Sequence, residues 1–431
     1  MVRRTLLAFS VLALASCASG GDGPDTTIPR RDASSDARTQ DARVDSSRPT
    51  DAGRDAPSVI DVAAGDAETD SSTDTNVEPE DATAGTDSAP TTDGSTSDAT
   101  VDARADANPP GDGGSVPTDF AVVRVNDGVS TLSAAAVSVF IERRSISTGA
   151  VLGTTPLPTA ASGSNTTFSL SGSGVAEGAL SRSPNGKLLA LLGYQSAAGT
   201  ANVQNVTAPR VVAVMDAASA VDTTTTLSTV FSTTSPRGAV IDGTNIWVSG
   251  GTGGIYRTTR GSTTSQSNIV ATPTGGRNLA IFGGQLYAST GSAPTGIYQI
   301  GTGLPLVATT ATLVVAVTSP YGMAFFDLNP AEPGIDTLYV GDDTGGAGIR
   351  VFTRASGAWN ATPLATLGQP VRHIACFREA DDVVCIASAA ITLYRVRHIN
   401  AAGGSTQSDV TPIATAATNT AFRGVALSPV P

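Results

Sequence analysis

Arginine heads four similar phrases: Arg237 in "RGAVIDG", Arg277 in "RNLAIFG", Arg372 in "RHIACFR" and Arg423 in "RGVALSP". Two more phrases keep the pattern with another polar head, Glu177 in "EGALSRS" and Tyr321 in "YGMAFFD". The successive intervals are 60, 40, 44, 51 and 51 residues. A guanidinium is a planar fork of donors that grips a carboxylate or phosphate through two parallel bonds. If the repeats bring the heads together, Glu177, Arg237, Arg277, Tyr321, Arg372 and Arg423 line one opening. The chemistry there is the binding of a small anion, an acidic glycan or a surface protein. The competing role is structural, with the arginines pairing with Glu177, Asp342, Asp343 or backbone carbonyls and tying neighbouring repeats together.

Other reactive residue types are sparse. Asp342 and Asp343 in "GDDTGGAG" could seat calcium, although two carboxylates are fewer than a full oxygen cage needs, and a solvated acidic turn is the plainer reading. His373 and His398 are the only histidines. Neither belongs to a Ser-His-Asp arrangement, and no phosphate loop or dinucleotide fingerprint is present. No catalytic residue and no metal ligand set is assigned on these grounds. Cys376 and Cys385 flank "FREADDVV". Pairing Phe377 with Val384 sets the two cysteines opposite each other, so a cross-strand disulfide is expected in an oxidising compartment. Two reduced, buried thiols are the alternative.

The elements that position the heads read as strands. Most heads open an alternating apolar run, followed by a turn, a β-rich run, a Gly-rich loop and another β-rich run, as in "NIWVSGGTGGIYRTT" and "QLYASTGSAPTGIYQI". "DGTN" at Asp242, "GG" at Gly283 and "PNGK" at Pro184 sit between such runs, as hairpin turns do. Four strands in 40–50 residues make a propeller blade. "FRGVALSPVP" supplies an inner strand without companions. "FAVVRVNDG", "AAAVSVFIERRS" and "NTTFSLSGSG" supply the three it lacks. The expected fold is therefore all-β, a six-bladed β-propeller over residues 119–431 whose last blade is shared by the N- and C-terminal strands. A seventh blade hidden in the 60-residue interval after Glu177 is the alternative. The loops at Gly250, Gly291 and Gly345 are expected on the same face as the heads.

Through "RGVALSP" and "RGAVIDGTNIWVSG" the body resembles the six-bladed group that includes NHL-type and sugar-lactonase propellers. The lactonase resemblance implies a divalent metal held by an acidic residue, an Asn and an Asp on inner strands. Glu177 matches the first and Asn278 stands where a second would be. The expected Asp has no counterpart among Tyr321, Arg372 and Arg423. Non-enzymatic binding is the main expectation, and a metal-dependent lactonase-like hydrolase is the alternative.

The N-terminus carries an address. Arg3 and Arg4 precede the apolar run "TLLAFSVLALA", which is shorter than the roughly 20 residues needed to span a bilayer. Leu14-Ala15-Ser16-Cys17 then resembles a bacterial lipobox. That resemblance implies a signal peptide over 1–16, acylation of Cys17 and a membrane anchor. Ala18 in place of Asp implies the outer membrane or cell surface. From residue 17 to 118 the chain is rich in Asp, Ala, Ser, Thr, Pro and Gly, and is expected to be a disordered acidic tether. The 431-residue chain has a formal net charge of −12. Up to Thr118 there are 22 acidic against 9 basic residues; from Asp119 onward there are 16 against 17. The acidity belongs to the tether, and a near-neutral body has no concentrated basic face for nucleic acid. A monomer is expected.

Overall fold

The computed structural model describes residues 116–365 and 367–431. The signal peptide, Cys17, Ala18 and nearly all of the tether lie outside the described residues. From Asp119 the strands form six four-stranded antiparallel sheets, the blades of a propeller. Their inner strands are Leu180–Arg182, Pro236–Asp242, Gly276–Phe282, Pro320–Phe326, His373–Glu379 and Ala421–Leu427, numbered here as blades one to six. Each inner strand packs beside the next, and that of blade six returns to that of blade one. The ring closes with six blades. The long interval after Glu177 is filled by the four strands of blade one and a loop with one 3-10 turn, Val203–Asn205.

Blade six is the shared one. Its inner strand pairs with Asp119–Val125, which pairs with Val139–Ser145. The fourth strand differs from expectation: it is Val151–Pro156, "VLGTTP", and not "NTTFSLSGSG". Val151–Pro156 is an exposed edge strand with no buried face, so it shows no apolar alternation. The alternation of "TFSLSG" has another cause. Phe168 and Leu170 fill the layer between blades six and one. Leu170–Ser171 pairs with Ala136–Val137 in a two-stranded sheet of its own.

The core lies in six apolar layers, one between each pair of neighbouring blades. With few aromatics available, Val, Ile, Leu and Ala supply most of it, and β-branched side chains suit a pleated surface. The repeat's second residue has a steric reason. A Cβ on Gly322 would lie 2.7 Å from the Ile374 nitrogen of the next blade, and one on Gly424 would lie 2.2 Å from the Leu180 nitrogen. Inner strands converge at the axis, and in these blades the residue after the head lets a neighbouring backbone approach.

Cys376 and Cys385 are opposite each other in blade five and form a disulfide, with Cα atoms 4.0 Å apart. The bond is buried in the layer between blades four and five. It closes a loop with a sequence separation of 9. On chain entropy alone, replacing both cysteines by Ser lowers the unfolding free energy by about 2–3 kcal/mol. Urea unfolding of the full chain and its double variant measures this. Reaction of both sulfurs with a thiol reagent in unfolded, unreduced protein would remove the bond from the account.

Chain direction gives the ring two distinct faces. Inner strands begin at the head end. Asp119–Val125 runs antiparallel to its inner strand, with Phe120 opposite Leu427 and Val125 opposite Ala421. The first strand therefore enters the ring at the face opposite the heads.

Candidate functional site: an arginine-lined mouth

Four of the six heads sit at irregularities in the pairing of their inner strands. The register between inner and second strand slips between Pro236 and Gly238, between Gly276 and Asn278, and between Pro320 and Met323. In blade six the slip falls between Phe422 and Val425, opposite Val122 and Arg124. An extra residue in one strand is a β-bulge, which bends the strand and re-aims a side chain. Arg237, Arg277, Tyr321 and Arg423 each occupy such a slip. Arg372 directly precedes its inner strand, and Glu177 precedes that of blade one. The heads gather at one end of the axis, where the charges of neighbours act on one another: Arg277 and Glu177 on Arg237, Arg372 on Arg423, and Arg423 on Glu177. Beneath them the inner strands of five blades line an axial channel of about 110 Å3.

The ring of heads divides into a sealed part and an open part. On the blade six and blade one side, Glu177 and Arg423 are 1% and 3% exposed. The Ser171 N–H donates to Glu177 Oε2 at 3.0 Å, and the Tyr194 hydroxyl donates to Oε1 at 2.6 Å. Arg423 donates to the carbonyls of Gly172 (2.9 Å), Phe422 (3.0 Å) and Gly174 (3.3 Å). Burial pushes the Glu177 carboxyl above its ordinary value and pulls the Arg423 guanidinium down to about 10. Arg210, which sequence reasoning missed, is also fully buried here. It lies 4.6 Å from the Tyr194 ring centroid and donates to the Thr234 carbonyl at 2.8 Å. It stands in the third strand of its blade, outside the head pattern, and carries no sequence signal of its own. These residues have taken the structural role.

The open part holds Arg237, Arg277, Tyr321 and Arg372. Arg277 donates to the Ser319 hydroxyl at 2.7 Å and lies 4.3 Å from the Tyr321 ring centroid. Arg372 forms an ion pair with Asp343 at 2.8 Å, each side chain being less than one-fifth exposed. Burial pushes the Asp343 carboxyl up. Asp343 follows the second strand of blade four, in the loop at Gly345, so this loop does open at the heads. Tyr321 is buried as a platform between the two arginines. Arg237 differs from all of these. No described residue forms a hydrogen bond or ion pair with its guanidinium, and its Nε is buried without a partner. Burial pulls its pKa down, and the charge of Arg277 adds to that. The open part has three guanidinium groups and one carboxylate, and is disposed to accept a small anion.

The remaining candidates lie as follows. Asp342 and Asp343 do not converge: Asp342 pairs with Arg350 and accepts the Thr344 N–H at 2.7 Å, while Asp343 turns to Arg372. Both oxygens of Glu177 already accept hydrogen bonds. Asn278 lines the channel, and its Oδ1 accepts the N–H of its neighbour Leu279 at 2.9 Å. His398 bridges blades through Nδ1 and the Tyr339 hydroxyl, 2.6 Å apart. His373 is buried beside Arg372, edge-on to Tyr321.

No protein-family model matches the chain, and neither does any curated protein. Among solved structures, a chain of a nidogen/laminin complex is 11% identical with a TM-score of 0.43, covering 72% of this chain and 97% of that one. TolB from Acinetobacter baumannii is 12% identical with a TM-score of 0.43, covering 73% and 67%. A 6-phosphogluconolactonase candidate from Bacteroides uniformis is 14% identical with a TM-score of 0.38, covering 68% and 82%. None of these likenesses bears on ligand or activity.

Proposed function

We propose that this chain is a lipid-anchored envelope protein that displays a β-propeller and binds anionic ligands, without catalysis, in the open part of its mouth. One observation carries the reading: the Arg237 guanidinium stands at the mouth without a partner, beside the charge of Arg277. A half-buried cation next to another cation is relieved by an anion, and a guanidinium fork takes an oxyanion bidentately. The ligand classes are small oxyanions and acidic glycans. Anchoring rests on the lipobox at Cys17 and the acidic tether. The first strand joins the ring at the face opposite the arginines, which supports a mouth left free for ligand.

Calorimetry on the full chain tests the reading with inorganic phosphate and trigalacturonate as probes. One of them binds, and Arg237→Ala weakens that binding about 10- to 150-fold, the worth of hydrogen bonds to a charged group. The thermal midpoint of the variant stays within about 1 °C, as expected for a half-buried side chain outside any network. Equal binding by the variant, or none by the parent, would sink the site.

A further inference from the structure

On the mouth face, between the inner strands of blades five and six, lies a crevice of about 10 Å3. That is room for about one water-sized atom. Its lining includes Arg372, His373, Ser388 and Arg423, with Val175 and Phe422 beside them. His373 is 2% exposed, yet neither its Nδ1 nor its Nε2 has a hydrogen-bond partner. The Nε of Arg372 is likewise buried without one. Buried polar groups are nearly always partnered, so three such atoms on two residues that line the crevice require an explanation.

The charge at the crevice favours an anion over a neutral occupant. The Ser388 hydroxyl is already donated to the Arg423 carbonyl at 2.6 Å. What remains is the imidazole, with one N–H donor and one acceptor nitrogen, and the Arg372 Nε–H donor. Burial, together with the charges of Arg372 and Arg423, pulls the His373 pKa down to about 3. The ring is therefore neutral at physiological pH, with one N–H, in a positive field. The nearby carboxylates already have partners: Asp343 pairs with Arg372, and Glu177 with Ser171 and Tyr194.

We propose that this crevice is a halide site, in which one chloride accepts from the His373 imidazole and the Arg372 Nε between the Arg372 and Arg423 charges. So small a crevice suits a monatomic anion better than a carboxylate or phosphate, each of which has several heavy atoms. The site is thus separate from the open mouth in ligand class, and it stands whether or not the mouth binds oxyanions.

The test is the thermal midpoint of the full chain in sodium chloride, with sodium methanesulfonate replacing it at constant ionic strength. Methanesulfonate, with five heavy atoms, is the bulky control, and both salts are compared in an Arg237→Ala background because a small oxyanion otherwise binds the open mouth. Chloride should raise the midpoint saturably, by about 2 °C at ten times its Kd. In His373→Leu the two salts should give the same midpoint. Should that variant fail to fold, a crystal of the unmodified protein grown in bromide decides alone. An anomalous peak in the crevice supports the halide. Equal midpoints in the two salts with His373 intact, or a water and no anomalous peak in the bromide crystal, overturns it.

Discussion

Replacing Arg423 with Met lowers the unfolding free energy of the full chain by about 3–5 kcal/mol, the loss typical of breaking a buried charged network from one side. The methionine fills much of the volume but offers no donors. The carbonyls of Gly172, Gly174 and Phe422 lose the guanidinium that joined blade six to the small sheet over blade one. The deficit depends on pH through Glu177. Burial already raises that carboxyl above 4.5, and the Arg423 charge is one of the influences holding it down. Without Arg423 the native pKa climbs further from its unfolded value. A carboxyl raised on folding contributes to stability while it is protonated, and loses that contribution as pH rises through its folded pKa. The deficit is therefore smallest below pH 4.5 and widens towards neutrality. Urea unfolding of both proteins at pH 4 and pH 7 measures it. A deficit below about 1 kcal/mol at both values would show that Arg423 is not a structural member of the ring.

Trp247→Ala should cost a similar amount, about 3–5 kcal/mol for a large aromatic truncated in a packed core. Trp247 is fully buried in the layer between blades two and three, and its indole N–H donates to the Pro305 carbonyl of blade three at 2.8 Å. Truncation opens a cavity and also strands a buried carbonyl. Trp247→Phe separates the two effects, because it keeps most of the packing and loses only the bond, at about 1–3 kcal/mol. Trp359 is the other tryptophan and remains as a fluorescent reporter in both variants. Equal losses for Ala and Phe would mean that the hydrogen bond, rather than the packing, holds these blades together.

Much of this architecture was legible in the chain. The heads recur because every blade needs an inner strand, and small residues follow several of them because inner strands converge. The partners of Asp119–Val125 and the register of Cys376 with Cys385 followed from alternation and turn length. The fourth strand of blade six was hidden, because an edge strand with no buried face carries no period. "TFSLSG" misled because burial between two blades imposes alternation on a segment outside the four-stranded sheets. At the mouth, the pattern gathered all six heads, but it could not divide them. Which arginine is paired depends on bulges and on loops distant in sequence, such as the Gly172–Gly174 segment that engages Arg423. Position in the repeat does not distinguish Arg237 from Arg423.

The entry of the chain through Asp119–Val125 also has a mechanical meaning. This strand is hydrogen-bonded on both sides, to Ala421–Leu427 and to Val139–Ser145. Tension transmitted from the N-terminal segment along the strand axis loads both ladders in shear, with their bonds strained together and not unzipped one after another. The joint that closes the ring is also the joint that resists pulling, because one strand must slip past two neighbours at once.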